Sequence, residues 1–380
     1  MDRAPACGAG GPGFKSQRAR IVQRSAKLYL DEVMVVFELD PVGVGVVGLG
    51  VIGQIHARNV ASLESTRLVA VVDQVRERAE SIGRELGAES YTSIDGAARN
   101  RDIEALIIAT PSYLHGPQAL YALLHDKHVL VEKPMATTLS GAKRIIRVAE
   151  EKMLRLGVVF QERYMEAAEK LKELIDKGAL GRLLMIEAEL KWWRGEDDYY
   201  RRDLLAQSWR GYWETEGGGV LINQAIHTLD LVLWFGGEPS IVAGMISNQA
   251  HPSIEVEDTA VALVEFRNGS LGSIVATVCA RSPSKQYRQI RVLGTKGQAI
   301  LTDQSLRAYT ESGEISVVGE AQFGELHKRL VDDFARCLRT GDSFRVSGRE
   351  GYRSLELIKS IYRSAESRFF VSLPLEVLRD

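Results

Sequence analysis

Cysteine is scarce in this chain: three residues in 380, Cys7, Cys279 and Cys337, far apart and odd in number. That scarcity excludes a disulfide framework and a cysteine-built metal centre, and it suits a reducing compartment, the cytoplasm. Long apolar runs are missing too. None approaches the ~18 residues that span a bilayer, so no membrane segment is expected. Neither sign of charge dominates, with 48 basic against 50 acidic residues and a formal net charge of −2. Nothing in that balance marks a nucleic-acid or anionic-membrane partner. There is no internal repeat.

What is present is an ordinary globular balance, 45 % hydrophobic and 26 % charged, on a chain long enough for two domains. Residues 1–40 differ. From Arg3 to Leu30 there are six basic residues and no acidic one. A transit peptide is one reading. A disordered leader, or translation begun upstream of a true start near Met34, is the one favoured here, so this segment is left out of the fold.

From residue 41, continuous Val/Ile runs alternate with helical stretches such as 75–87 and 116–127: "VGVGVVGLG", "TRLVAVVDQ", "IEALIIATP", "KHVLVEKP". Such runs predict a parallel sheet covered on both faces, a doubly wound α/β domain over 41–160. After 160 the strands lengthen and hairpin turns appear at "RNGS" and "GTKGQ". An α+β domain over 161–380 with a mostly antiparallel open sheet is expected, finished by helices at "HKRLVDDFARCLRTG" and "GREGYRSLELIKSIYRSAESR".

Gly48, Gly50 and Gly53 form G-x-G-x-x-G between a strand and a helix, with Asp73 ending the next strand. The first glycine allows the tight turn, the second a close backbone approach to a pyrophosphate, the third close helix–strand packing. An aspartate there accepts both ribose hydroxyls and repels a 2′-phosphate. NAD is therefore the expected cofactor, with nearby Arg76 keeping NADP possible. Gly48, Gly50, Ile52 and Gly53 belong to this site. Thr110, Pro111 and His115 follow one strand and Glu132 and Lys133 follow the next, at the sheet edge where ligands of open α/β sheets sit. The Lys133–Pro134 bond is a candidate cis peptide.

The stretches "GVVGLGVIGQIHA", "ATPSYLHGPQAL", "HVLVEKPMATTLSGA" and "GGGVLINQAIHTLDLVLWF", in that order, resemble the glucose–fructose oxidoreductase / inositol 2-dehydrogenase (Gfo/Idh/MocA) family. The resemblance runs from about residue 42 to the closing "VSLP". It implies a Rossmann domain followed by an α/β domain whose open sheet often carries homodimers or homotetramers. It also implies NAD(P)-linked oxidation of a secondary alcohol on a sugar or cyclitol, or the reverse. By the same resemblance Lys133 contacts substrate and nicotinamide ribose, His227 transfers the proton, and Arg163 of "FQERY" touches cofactor or substrate. One departure stands out: many members carry aspartate where this chain has Asn223. An amide can orient a hydroxyl but cannot take a proton.

Asn223, His227 and Asp230, spaced four and three apart, are expected on one stripe of a single helix. A histidine titrating near neutrality suits removal of a hydroxyl proton. Lys133 would hold the oxygen, Asn223 a neighbouring hydroxyl, and Asp230 would orient locally. Glycines 217–219 are expected to let backbone approach the substrate. The segment "KWWRGEDDYYRRDLLAQSWRGYWETE" holds four of the five tryptophans and several arginines. It reads either as a pocket wall or as an oligomer contact. No metal is expected. The alternatives are a sugar-nucleotide 3-dehydrogenase, an NAD-dependent glycosidase on the same fold, and a non-catalytic NAD-binding sensor.

Overall fold

The computed structural model describes residues 40–281, 286–319, 321–322 and 324–376. The leader expected over residues 1–40 falls, up to residue 39, outside the described residues.

The first sheet is built from β1 (Val42–Val47), β2 (Thr66–Val72), β3 (Glu89–Tyr91), β4 (Ala105–Ile108), β5 (His128–Val131) and β6 (Leu156–Val158). Every pairing is parallel, in the order β3-β2-β1-β4-β5-β6. Helices α1 (Val51–Ser62), α2 (Arg76–Leu86), α3 (Ile94–Arg99), α4 (Ser112–Leu124) and α5 (Leu139–Glu151) are interleaved with the strands. All six residues of β1 are buried, which is why its sequence is apolar throughout rather than alternating. The order reverses between β1 and β4, and this switch point opens a crevice at the strands' carboxyl ends. The helix expected from 116 starts four residues earlier, so His115 lies within α4.

After α6 (Glu166–Asp176) comes β7 (Leu183–Trp192), then short helices α7 (Leu204–Gln207), α8 (Trp213–Glu216) and α9 (Val220–Asn223), and the longer α10 (Ile226–Gly236). Strands β8 (Pro239–Ser247), β9 (Thr259–Phe266), β10 (Leu271–Thr277), β11 (Gln286–Gly294), β12 (Gly297–Thr302), β13 (Ser305–Thr310) and β14 (Gly313–Val318) follow. Helices α11 (Glu325–Thr340) and α12 (Gly348–Ser367) and a two-residue β15 (Val371–Ser372) complete the described chain. The second sheet has nine strands in the order β14-β13-β12-β11-β7-β10-β9-β8-β15. Among the described residues of this sheet only β7 and β10 pair in parallel. In β9 buried and exposed residues alternate, the signature of a sheet packed on one face. α6, α10 and α12 lie on the covered face.

Strands β3 and β14 have no apolar run to announce them, because both sit at sheet edges with mostly exposed or half-buried residues. α11 returns to pack on α1, and α12 contacts α5, β6 and β8, so the closing helices touch both sheets.

Candidate active site

A cavity of about 940 Å³ opens where the carboxyl ends of β1, β2, β4 and β5 face α10 and the segment after β7. That volume lies at the upper end for ligand sites. One end is the glycine turn. Gly48 has φ of +89°, and a Cβ there would lie 2.7 Å from the Ala109 carbonyl oxygen. A Cβ on Gly53 would lie 1.7 Å from the Gly48 carbonyl oxygen. A Cβ on Gly50 would meet nothing within 4 Å, because Gly50 borders open space at the uncapped N-terminus of α1. Free backbone N–H groups beside an open cradle fit a pyrophosphate. Ile52, Thr110 and Pro111 line the same cavity.

These contrasting surroundings make the glycines separable. Gly53→Ala should destabilise the fold. Gly50→Ala should leave the stability of the cofactor-free protein within about 0.5 kcal/mol yet weaken NAD binding about tenfold or more. Thermal unfolding and calorimetric titration read the two effects; equal losses of stability would refute the distinction.

Asp73 accepts hydrogen bonds from the N–H groups of Leu49 and Val75, both at 2.9 Å. Arg78 bridges both its oxygens at 3.1 and 3.2 Å. The cation beside Asp73 is therefore Arg78. Arg76, singled out from the sequence, instead faces Glu80 on the exposed side of α2.

Two expected cofactor contacts have internal partners. Glu132 accepts from His56 Nε2 at 2.8 Å. Burial opposes its ionisation, but that hydrogen bond and the charges around it win and hold it at about 2. The ring nitrogens of His115 each lie 2.7 Å from a carbonyl, of Pro134 and of Thr110. Burial lowers its pKa, and a neutral ring donates to one carbonyl at a time. His115 thus fastens the strand ends to each other, around a Lys133–Pro134 peptide that is cis.

Lys133 Nζ donates to the Asn223 carbonyl oxygen at 2.8 Å, tying the β5 end to α9. Burial lowers its pKa, and the Arg210 charge pushes the same way. His227 faces the same cavity, packed edge-on against Phe160 at 5.8 Å. Burial, then the Lys133 charge, keep it well below its ordinary 6.5, so it is neutral at pH 7. Its Nδ1 has no hydrogen-bond partner among the described residues.

The three residues expected on one helix fall on two. Gln224 and Ala225 separate α9 from α10; Asn223 and His227 both line the cavity, whereas Asp230 does not. The Asn223 amide donates to Glu216, a buried carboxylate the sequence reading did not single out. Its one signal was an acid directly before three glycines. Asp230 accepts two hydrogen bonds of 2.7 Å from Arg163, which also reaches Glu350 at 2.7 Å. Arg163, expected at cofactor or substrate, is 2 % exposed and spent on these two carboxylates away from the cavity lining.

The glycine loop also has another reason. A Cβ on Gly218 would lie 2.1 Å from the Tyr362 hydroxyl, and one on Gly219 1.8 Å from the Glu257 carbonyl oxygen. The close approach is to the protein itself. The Glu257 carboxylate accepts from the N–H groups of Gly219 and Leu221 and from Tyr362, and burial pushes it up to about 7.

The aromatic, arginine-rich segment forms a wall of the cavity through Trp192, Arg194, Tyr199, Trp209 and Arg210. Behind it, ligand atoms of His251, Asp258 and Cys279 lie within 4.8 Å of one another. Asp258 already accepts from Gln249 N–H, Ala250 N–H and His251, so the cluster forms a hydrogen-bonded knot.

A parallel sheet with a glycine turn, an acid ending its second strand, and a lysine and a neutral histidine across the same cleft define a dinucleotide-dependent oxidoreductase. Residues 42–160 match the oxidoreductase family with NAD-binding Rossmann fold, and residues 168–300 match the GFO/IDH/MocA C-terminal domain. The chain belongs to this family, and its cofactor is NAD. It is 28 % identical over 328 residues to scyllo-inositol 2-dehydrogenase (NAD(+)) of Bacillus subtilis, covering 82 % of this chain and 90 % of that one. It is 30 % identical over 262 residues to glucose-6-phosphate 3-dehydrogenase of the same organism, covering 67 % and 72 %. Among solved structures, the WlbA dehydrogenase of Bordetella pertussis in complex with NADH and UDP-GlcNAcA superposes with a TM-score of 0.78 at 32 % identity, covering 88 % of this chain and 100 % of that one.

Proposed function

We propose that this chain transfers a hydride between NAD and a secondary alcohol of a sugar, cyclitol or sugar derivative. The observation that carries this is the pairing of Lys133 and a neutral His227 in the cleft that also holds Gly50 and Asp73. Relatives that are dehydrogenases of inositol and of glucose 6-phosphate support it.

The chemistry supplied by NAD, when bound, is hydride acceptance from a carbinol carbon. The chain's residues do the rest. Lys133 donates a hydrogen bond to the carbinol oxygen and stabilises charge developing on it. His227 takes the hydroxyl proton through a ring nitrogen, so loss of one hydride and one proton leaves a carbonyl. In reduction the proton returns from His227. Asn223 orients a neighbouring hydroxyl and takes no proton. Gly48, Gly50, Ile52, Gly53, Asp73, Thr110 and Pro111 are assigned to the cofactor. Residues 41–160 serve as the NAD domain and 161–380 as the substrate and assembly domain. Two free thiols, Cys279 and Cys337, suit the cytoplasm.

A narrower reading, a sugar-nucleotide 3-dehydrogenase, is favoured by the aromatic and arginine-rich wall, which offers faces and charges beyond the needs of a bare monosaccharide. The deciding experiment mixes the protein with NAD or NADP and a panel of sugars, cyclitols, sugar acids and UDP-sugars, reading reduced nicotinamide by absorbance. Signal with one class supports the reading. Bond cleavage without net NADH would replace it with the glycosidase, and NAD binding with no turnover of any kind with the sensor.

The open face of the nine-stranded sheet is proposed to join copies of this chain into a homodimer or homotetramer. On it Met245 pairs with Val261 across neighbouring strands and Leu263 lies beside them, with Met245 61 % and Leu263 58 % exposed. Contiguous exposed apolar surface of this kind marks an interaction site. Leu263→Glu should shift the protein to a smaller species in sedimentation velocity with its melting temperature nearly unchanged. An unaltered sedimentation coefficient would remove this face from assembly.

A further inference from the structure

Most cationic side chains lining the cleft already have a hydrogen-bond or ion-pair partner. Arg78 bridges Asp73, Arg202 pairs with Asp203 at 3.0 Å, and Arg288 is held by Glu162 and, at 2.9 Å, by the Asp303 carbonyl oxygen. Arg194 donates to the Trp193 carbonyl at 3.0 Å. Arg210 is the exception. It lines the same cavity, yet its guanidinium makes no hydrogen bond or ion pair among the described residues, and its Nη1 is buried without a partner. The group is not loose. Its carbon lies 4.3 Å from the Tyr199 ring centre and 4.5 Å from that of Trp209, so two aromatic faces hold the plane while its N–H edges stay unused. The carboxylate best placed to neutralise it, Glu216, is engaged elsewhere, by the Gly211 N–H at 2.6 Å and by the Asn223 amide.

Arg210 is half-buried, and a guanidinium with one nitrogen shielded from water and given no anion is costly to keep. Its planar fork matches the two oxygens of a carboxylate or phosphate. We propose that Arg210, held between Tyr199 and Trp209, is the receptor for an anionic oxygen group on the substrate, so that the sugar oxidised here is an acid: a uronate or a sugar phosphate. The group would dock within the field of Lys133, whose lowered proton affinity already registers the Arg210 charge. Arg210 thereby selects substrate, while Lys133 and His227 act on the carbinol. This rests on the dehydrogenase reading above and sharpens its substrate class.

The test compares glucose, glucuronate and glucose 6-phosphate, and N-acetylglucosamine with its uronate free and as the UDP conjugate, on the full NAD-loaded protein. Wild type should prefer an acid over its neutral counterpart by at least about tenfold in kcat/KM. Preference within the glucose series for glucuronate or for glucose 6-phosphate tells carboxylate from phosphate. In Arg210→Gln the preference should collapse toward one, mainly through KM, and Arg210→Lys should restore part of it. Equal use of acid and neutral sugar by wild type, or a preference that survives Arg210→Gln, would overturn the proposal. A second readout needs no turnover: the melting temperature of the protein with NADH and each ligand. If nothing is oxidised yet an acid raises it in wild type and not in Arg210→Gln, the receptor stands and the dehydrogenase reading falls. No selective rise with any acid, in the absence of turnover, refutes both.

Discussion

His227→Ala lowers turnover by about 10²–10⁴-fold while NAD binds as before, because the variant loses the proton acceptor and leaves the glycine turn intact. Calorimetric titration separates the two quantities. The pH dependence follows from the same surroundings. Burial, then Lys133, hold His227 well below 6.5, so the base is competent at neutrality and is lost as pH falls through its lowered pKa. The acid limb of kcat/KM in wild type should therefore lie below pH 6.5 and be absent from the residual rate of His227→Ala. Unchanged turnover would move the base to another group; an acid limb at or above 6.5 would mean a solvated histidine rather than a desolvated one.

The second large effect is on stability. Asp230 and Arg163 form a buried bidentate pair, 1 % and 2 % exposed, that seats α10 beneath the site. Burial pushes Asp230 up to about 6 in spite of the guanidinium, so the pair is charged at neutral pH. Asp230→Ala strands much of the Arg163 charge in an apolar setting and should cost about 3–5 kcal/mol in urea unfolding. Replacing both partners, Arg163→Met with Asp230→Leu, should recover much of that loss, since Glu350 keeps Arg353 at 3.2 Å. A loss below about 1 kcal/mol for the single variant would mean that α10 is held by its apolar packing alone.

How much of this was legible in the sequence depends on how local each feature is. Gly48, Gly50, Gly53 and Asp73 depend on backbone spacing and strand ends, so their places in the glycine turn and at the end of β2 could be read directly. Lys133 could be placed because it follows a strand at the sheet edge, whereas the role expected of His227 came from the family resemblance. What pairs with what could not. Arg163 carries a family expectation, yet its charge is met by carboxylates 67 and 187 residues away. Arg76 and Arg78 both follow Asp73 closely in sequence, and only the turn of α2 decides that the second one, though farther along the chain, faces it. The break between α9 and α10 has no glycine or proline to mark it, so three polar residues at helical spacing looked like one stripe. Glu216 gave no sign that it would meet Asn223; the intervening glycine turn brings its carboxylate to the Asn223 amide.

The closing helices have a consequence for how the chain is made. α11 binds the start of the chain's first sheet from far away: Arg339 donates to the carbonyls of Asp40 and Pro41 and pairs with Glu104 at 2.6 Å. Asp332 accepts from Ser65, and the Gly324 carbonyl from Asn59. During synthesis the NAD-binding half leaves the ribosome first, and folding tends to follow that order. Yet its first strand and helix lack these clasps until nearly three hundred further residues have emerged. The nascent cofactor half therefore waits, incomplete, for the tail of its own chain, and the link between early and late residues makes the last step of folding a long-range one.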